Sequence, residues 1–301
     1  MGKKVIFLDV DGTLTEPGSN EPPASALWAI EQVRRQGHYV FLCSGRSYGM
    51  LAPLLKYDFD GAVASAGGYI MCRDRVIYDC PMSEQQKQAA MDTLRECGIY
   101  RTIECRDSSY TDAEFKEFLR THAAEGKNSE MLRWREQIER SLNILPMERY
   151  GGEPAYKIVV MSPTREQLLE AEKVLSSDFS FCIQDENRGG FVNGELINRS
   201  FDKGRGMARV CEYLGIPAED SIAFGDSMND REMLEAAGLS ICMANGSEEM
   251  KRLADDVCPS VGEHGIREAL IRHHLIAGQE GQQRAAVIFE GNEIDTTKCT
   301  N

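Results

Sequence analysis

Apolar residues near the two ends of this chain come in short unbroken runs, each about a strand long and each closed by polar or glycine positions. Val5-Ile6-Phe7-Leu8, Val40-Phe41-Leu42-Cys43 and Ile222-Ala223-Phe224 are the clearest. A continuous apolar run bounded by turn residues reads as a strand buried on both faces, as in a parallel sheet. Between these runs lie helical stretches: 25–35, entered through Pro22-Pro23 and ended by Gly37, then 49–55, 204–214, 230–237, 248–253 and 266–275. Further strands are expected at 61–64, 239–243 and 256–258. A hairpin is expected over 69–72 and 75–78, turning at Arg73-Asp74, where apolar and polar positions alternate. Repeated strand–helix units imply a parallel sheet with helices on both faces.

The middle of the chain has a different pattern. Ser83-x-x-Gln86 and Thr111-x-x-Glu114 read as capping boxes that open helices to about residues 96 and 124. Strands are expected at 100–105, 155–161, 179–183 and 190–197, with a helix over 164–175. This block has its own apolar faces and reads as an inserted α/β domain. The expected division is therefore 1–82 and 190–275 for a Rossmann-like core, 83–189 for the insertion, and 276–301 for a C-terminal extension whose apolar run 285–289 has no assigned place.

Chemistry concentrates where the buried runs stop. Val5–Leu8 delivers Asp9 and Asp11, with Gly12 permitting a tight turn. Two carboxylates at the carboxyl end of a buried strand are costly without a compensating cation, and that end is where open α/β sheets hold ligands. A hard, oxygen-liganded ion such as Mg²⁺ suits the pair. The run ending at Phe224 and Gly225 repeats the arrangement with Asp226, Asn229 and Asp230. Val40–Cys43 delivers Ser44, Gly45 and Arg46, a hydroxyl and backbone amides able to hold a phosphate oxygen. Lys203 stands at a helix start, where the helix dipole disfavours a cation; the mismatch points to a buried anionic partner.

Composition narrows the function. The net charge of −14 opposes binding to nucleic acid or to anionic membranes. None of the ten cysteines falls in a C-x-x-C pair. Cys43, Cys182, Cys211, Cys242 and Cys258 sit in apolar runs and read as small buried hydrophobes in a reducing compartment. The five histidines lack zinc-ligand spacing. No stretch approaches the ~20 apolar residues of a membrane span, and Met-Gly-Lys-Lys before the first strand leaves no signal peptide. A cytoplasmic protein is expected, a monomer or small homo-oligomer.

In this order, D-x-D-G-T, Ser-Gly-Arg, Lys-Gly and G-D-x-x-N-D resemble the haloacid dehalogenase superfamily of phosphatases. The long interval between Ser44 and Lys203 resembles its Cof-type subfamily with a type IIB cap. The resemblance implies Asp9 as nucleophile and Asp11 as general acid and base. It places Mg²⁺ among Asp9, Asp226 and the Asp11 carbonyl, with Asn229 and Asp230 orienting metal and water. Ser44 and Lys203 would hold the transferring phosphoryl group. It further implies hydrolysis of a small phosphorylated metabolite, such as a sugar phosphate. A phosphomutase or phosphotransferase using the same phospho-aspartate is the alternative within the fold, and a non-catalytic binding protein the alternative outside it. Gly45, Arg46, Lys157 and Arg188 are candidate substrate contacts. For Lys157 and Arg188 the plainer reading is solvated surface charge; Arg46 reads equally as a substrate contact or as a brace against a carboxylate. Two departures stand out: Ser65-Ala66-Gly67-Gly68 where relatives carry Ser-Asn-Gly-Ala, and Ala244-Asn245-Gly246 where they carry Gly-Asn-Ala. Neither is expected to touch the nucleophile or the metal set.

Overall fold

The computed structural model describes residues 2–115, 144–183 and 192–277. In chain order the elements are β1 (Val5–Leu8), α1 (Ala24–Arg35), β2 (Tyr39–Cys43), α2 (Tyr48–Leu55), β3 (Gly61–Ala64), β4 (Tyr69–Cys72), β5 (Arg75–Asp79) and α3 (Glu84–Glu96). There follow β6 (Tyr100–Cys105), β7 (Ser109–Thr111), β8 (Ile144–Pro146), β9 (Ala155–Ser162), α4 (Arg165–Leu175), β10 (Phe179–Ile183) and β11 (Val192–Asn198). The chain closes with α5 (Lys203–Leu214), β12 (Ser221–Gly225), α6 (Arg231–Ala236), β13 (Leu239–Met243), α7 (Glu248–Leu253), β14 (Asp256–Cys258) and α8 (Gly265–Arg272).

These strands form two sheets. The larger runs β14-β13-β12-β1-β2-β3-β4-β5. It is parallel from β14 to β3 and antiparallel where the β4–β5 hairpin extends its edge. Its centre explains the unbroken apolar runs. Ile6 and Leu8 pack to one side with α1 and α8, while Val5 and Phe7 pack to the other with α5 and α6. A strand covered on both faces has no polar side to show. The expected α/β class and parallel core are both observed.

The second sheet runs β10-β11-β9-β6-β7-β8 and is antiparallel except where β7 meets β8. Helices α3 and α4 cover one face through Leu94, Leu168, Ile103, Ile158 and Leu196. The Ser83 box is complete: its hydroxyl accepts from Gln86 N (3.1 Å), and its own N–H donates to Gln86 Oε1 (3.1 Å).

Three expectations change. β11 lies between β10 and β9 in this second sheet rather than in the core unit assigned from residue 190. It pairs with β9 from Val192 to Ile197. Thr111 ends β7 instead of capping a helix; its hydroxyl pairs with that of Thr102 at 2.7 Å. Cys182 is half-buried, unlike Cys43, Cys211, Cys242 and Cys258. Most of the helix expected to 124, the Gly189-Gly190 pair and the run 285–289 lie outside the described residues. Among those described, no helix is long and apolar enough to cross a membrane.

Candidate active site

The site forms where β1 and β12 end side by side. Asp9 N donates to Phe224 O (3.0 Å), continuing the ladder between the two strands before the chain turns away. The turn passes through Gly12 at φ +86°, where an added Cβ would lie 2.3 Å from Asp226 Oδ2. Only glycine meets both demands. Lys203 arrives from the third side as the first residue of α5. Asp202 caps that helix by accepting from Arg205 N (2.7 Å), and Gly204 lets its first turn press against Glu232 O, 2.3 Å from where a Cβ would stand.

Lys203 is consequently buried at the helix start, with carboxylates as its compensation. Its ammonium donates to Asp9 Oδ1 at 2.7 Å, Asp230 Oδ1 at 2.5 Å and Asn229 Oδ1 at 3.3 Å. Burial would lower its pKa, but Asp230 and Asp9 outweigh that and hold it well above the usual lysine value. The acids are less well matched. Burial, then the charge of Asp230, raises Asp9 to about 7 against the pull of Lys203. Burial, then Asp9 and Asp230, raises Asp226 to about 9.

Asp9, Asp226 and Asp230 each bring a carboxylate oxygen within 4.8 Å of the others. Asp230 is heavily engaged: besides Lys203, its Oδ2 accepts from Asp226 N (3.1 Å) and Ser227 N (3.2 Å). Asp226 is not. Its Oδ1 is buried and has no hydrogen-bond partner among the described residues, an uncommon state for a carboxylate oxygen. Three carboxylates around one ammonium, with an orphaned oxygen among them, fit a hard divalent cation. Asn229 turns its Oδ1 to Lys203 and to Ser227 Oγ (2.8 Å).

Asp11 points elsewhere. Arg46 grips it as a fork, Nε to Oδ2 at 2.8 Å and NH2 to Oδ1 at 2.6 Å, and Gly18 N adds a third donor at 3.0 Å. Arg46 is 1% exposed and also donates to Asn20 Oδ1 (2.6 Å) and Ser19 O (3.2 Å). The brace expected of Arg46 is the contact observed. Ser44 ends β2 with its hydroxyl accepting from Arg46 N (3.2 Å). The departing loop supports this turn: Ser65 N donates to Arg46 O (2.8 Å) and Ala66 N to Ser44 O (3.0 Å). Ser65 and Ala66 adopt φ of +50° and +55°, a region asparagine enters more readily than alanine.

Lys157 is not a solvated charge. It is fully buried on β9, bonded to Glu195 at 2.5 Å, near Glu104 at 3.2 Å, and donating to Gly45 O at 2.8 Å. It thus joins the second sheet to the Ser44 loop. Arg188 lies outside the described residues. Sequence reasoning missed Glu104 and Glu195; the signal for Glu195 is a lone acid in an otherwise uncharged strand, whereas the strand of Glu104 also carries Arg101 and gives no such signal. It also misjudged Asn245. Asn245 Nδ2 donates to Gly12 O (2.8 Å) and Asp226 Oδ2 (3.2 Å), so this loop does touch the acid cluster.

Comparisons with known proteins agree with this geometry. A family model of haloacid dehalogenase-like hydrolases matches residues 6–270. A phosphoglycolate phosphatase of Methanopyrus kandleri is 42% identical over 267 residues, 87% of this chain and 93% of its own. The 5-amino-6-(5-phospho-D-ribitylamino)uracil phosphatase YwtE of Bacillus subtilis is 28% identical over 290 residues, 92% of this chain and 99% of its own. In fold, the subclass IIB sugar phosphatase BT4131 superposes with a TM-score of 0.70 at 21% identity, over 91% of this chain and 100% of that one.

Proposed function

The chain belongs to the haloacid dehalogenase-like hydrolases, Cof type with a IIB cap, and is a phosphoric monoester hydrolase; from that premise we propose that it hydrolyses small polyol or sugar phosphates, with Mg²⁺, through an aspartyl-phosphate on Asp9. The observation that carries the reading is the orphaned Asp226 Oδ1 beside Asp9, in a cluster short of positive charge. Asp9, Asp226 and the Asp11 carbonyl would hold Mg²⁺, which would supply charge to the phosphoryl oxygens.

Lys203 fixes Asp9 Oδ1, leaving Oδ2 to attack phosphorus. The ester P–O bond breaks and the leaving alkoxide takes a proton from Asp11. In the Arg46 fork both Asp11 oxygens act as acceptors; once its side chain leaves the fork it takes up a proton from solvent and delivers it to the alkoxide. Returned to the ionised form, Asp11 takes a proton from water. That water attacks phosphorus, the bond to Asp9 breaks, and inorganic phosphate departs. Ser44 and Lys203 hold the phosphoryl oxygens in both halves, and Asn229 and Asp230 keep Lys203 and the Asp226 loop in place.

The six-stranded unit acts as the cap that closes over this site and excludes water. Lys157, Glu104 and Glu195 lie beside Gly45 and present a donor and acceptors suited to hydroxyl groups. Nucleic acids and phosphoproteins are not substrates, and the protein works in the cytoplasm.

The test measures phosphate release from hexose phosphates, ribitol phosphate and phosphoglycolate, in Mg²⁺ and in EDTA, with and without an added sugar acceptor. Release from the polyol and sugar esters is expected only with Mg²⁺, and folded Asp9→Asn is expected to give none. Turnover by folded Asp9→Asn sinks the nucleophile assignment. A preference for phosphoglycolate sinks the substrate class, and transfer to the acceptor in place of release makes the enzyme a phosphotransferase.

A further inference from the structure

We propose that Asn245 is a positioning residue that holds Asp226 with one oxygen turned toward the cation site, and that it thereby sets the affinity for the divalent ion. The proposal rests on the reading of Asp226 as a metal ligand. Asn245 belongs to the loop after β13, the strand next to β12, and its Nδ2 donates both to Gly12 O (2.8 Å) and to Asp226 Oδ2 (3.2 Å). The Gly12 carbonyl can only accept, so the amide turns its NH₂ end toward the pair. One side chain therefore ties the loop after β1 to the loop after β12, the two loops that carry the acids.

The consequence falls on the two oxygens of Asp226. Oδ2 is occupied by Asn245 and confined by the Gly12 backbone, whereas Oδ1 is buried and accepts nothing. A carboxylate pinned through one oxygen presents the other in a fixed direction, which is what an ion with strict octahedral geometry requires. The residue type also suits the task. A lysine or arginine here would bring a competing positive charge, and an aspartate would add repulsion with no proton to donate. The amide donates without charge.

The loop itself does not depend on this amide. Ser247 N donates to Asp226 O (3.3 Å), Ser247 Oγ caps α7 by accepting from Met250 N (3.2 Å), and an added Cβ at Gly246 would stand 2.8 Å from Asp226 O. Truncating Asn245 should leave the loop in place and free only the Asp226 side chain.

The experiment measures Mg²⁺ binding by calorimetry for the wild type, Asn245→Ala, Asn245→Asp and Asp226→Asn, with melting in EDTA and kinetics across Mg²⁺ concentration. Asn245→Ala is expected to weaken Mg²⁺ binding about 10- to 100-fold, and Asn245→Asp more. For Asn245→Ala, kcat should recover at saturating Mg²⁺ and the EDTA melt should match wild type. If Asp226→Asn loses Mg²⁺ while Asn245→Ala binds it as wild type does, the proposal is wrong and the metal reading stands. If Asp226→Asn itself binds Mg²⁺ normally, the metal reading fails and takes the proposal with it. Weaker binding that tracks an equal loss of apo stability would make Asn245 merely structural, which also overturns the proposal.

Discussion

Two buried lysines, each set between two carboxylates, occupy different places in this fold. Lys203 meets Asp9 and Asp230 at the carboxyl ends of β1 and β12, at 2.7 and 2.5 Å; Lys157 meets Glu104 and Glu195 on the second sheet, at 3.2 and 2.5 Å. The cap cluster is made by residues inside three adjacent strands, with Glu104 opposite Lys157 in the β6–β9 register. Its geometry is set by the ladder. The core cluster stands on loops leaving the sheet and includes a third acid, Asp226, with an unused oxygen. A lysine between two acids is thus a common way of burying charge. An additional acid with an unsatisfied atom, at the ends of parallel strands, sets the core cluster apart and fits a cation.

The sharpest test replaces each lysine by methionine. Lys203→Met should lower turnover on the order of 10²–10³-fold, the usual cost of losing one preorganised charge contact. Lys157→Met should leave kcat far less affected. Lys203→Met should lose about 3–5 kcal/mol of stability in EDTA, because it leaves buried Asp9 and Asp230 without their shared counter-charge, and Lys157→Met should lose stability with its bonds to Gly45 O and Glu195. Mg²⁺ should restore part of the melting temperature of Lys203→Met and none of that of Lys157→Met. Equal Mg²⁺ rescue of both variants would erase the distinction between the clusters.

The same contrast explains what could be read in advance. Asp9, Asp11 and Asp226 were legible because each follows an unbroken apolar run, and a run that ends on an acid is conspicuous. Lys203 was legible because a cation at a helix start opposes the dipole. Lys157, Glu104 and Glu195 were not, since partners on different strands are brought together by a register that no local pattern encodes. Asn245 was overlooked for a related reason: its partners, Gly12 and Asp226, belong to distant segments of the chain. The boundary was placed at residue 190, before β11, because the apolar pattern of a strand does not say which of two sheets it joins.

A smaller effect separates the clusters by pH. Asp9 is raised from 3.8 to about 7 and Asp226 from 3.8 to about 9. Between these limits the folded protein holds more protons than the unfolded chain, so stability is fully present below about pH 4 and falls as pH rises toward 9. In EDTA the melting temperature should therefore decline across this window. Mg²⁺ takes the place of the protons, so the gain it gives should grow with pH. The Lys157→Met background should keep this dependence, and Asp226→Asn should blunt it. A stabilisation by Mg²⁺ that is independent of pH would mean that these two acids do not bind the ion.

The smallest effect concerns the cap sheet alone. Thr111 had the signature of a helix cap, yet it ends β7 with its hydroxyl 2.7 Å from that of Thr102 on β6, both side chains buried. The two origins predict different couplings. A lone valine at either position strands one buried hydroxyl and should cost about 1–3 kcal/mol, whereas replacing both partners by apolar groups of the same shape can be nearly neutral. Denaturant melts of Thr102→Val, Thr111→Val and the double variant should then show the double as stable as, or more stable than, either single, with a coupling of at least about 1 kcal/mol. If Thr111 capped a helix instead, the two losses would add, since Thr102 has no part in such a cap. Turnover should stay at the wild-type value throughout, because this pair lies on β6 and β7, away from the Ser44 loop that Lys157 reaches.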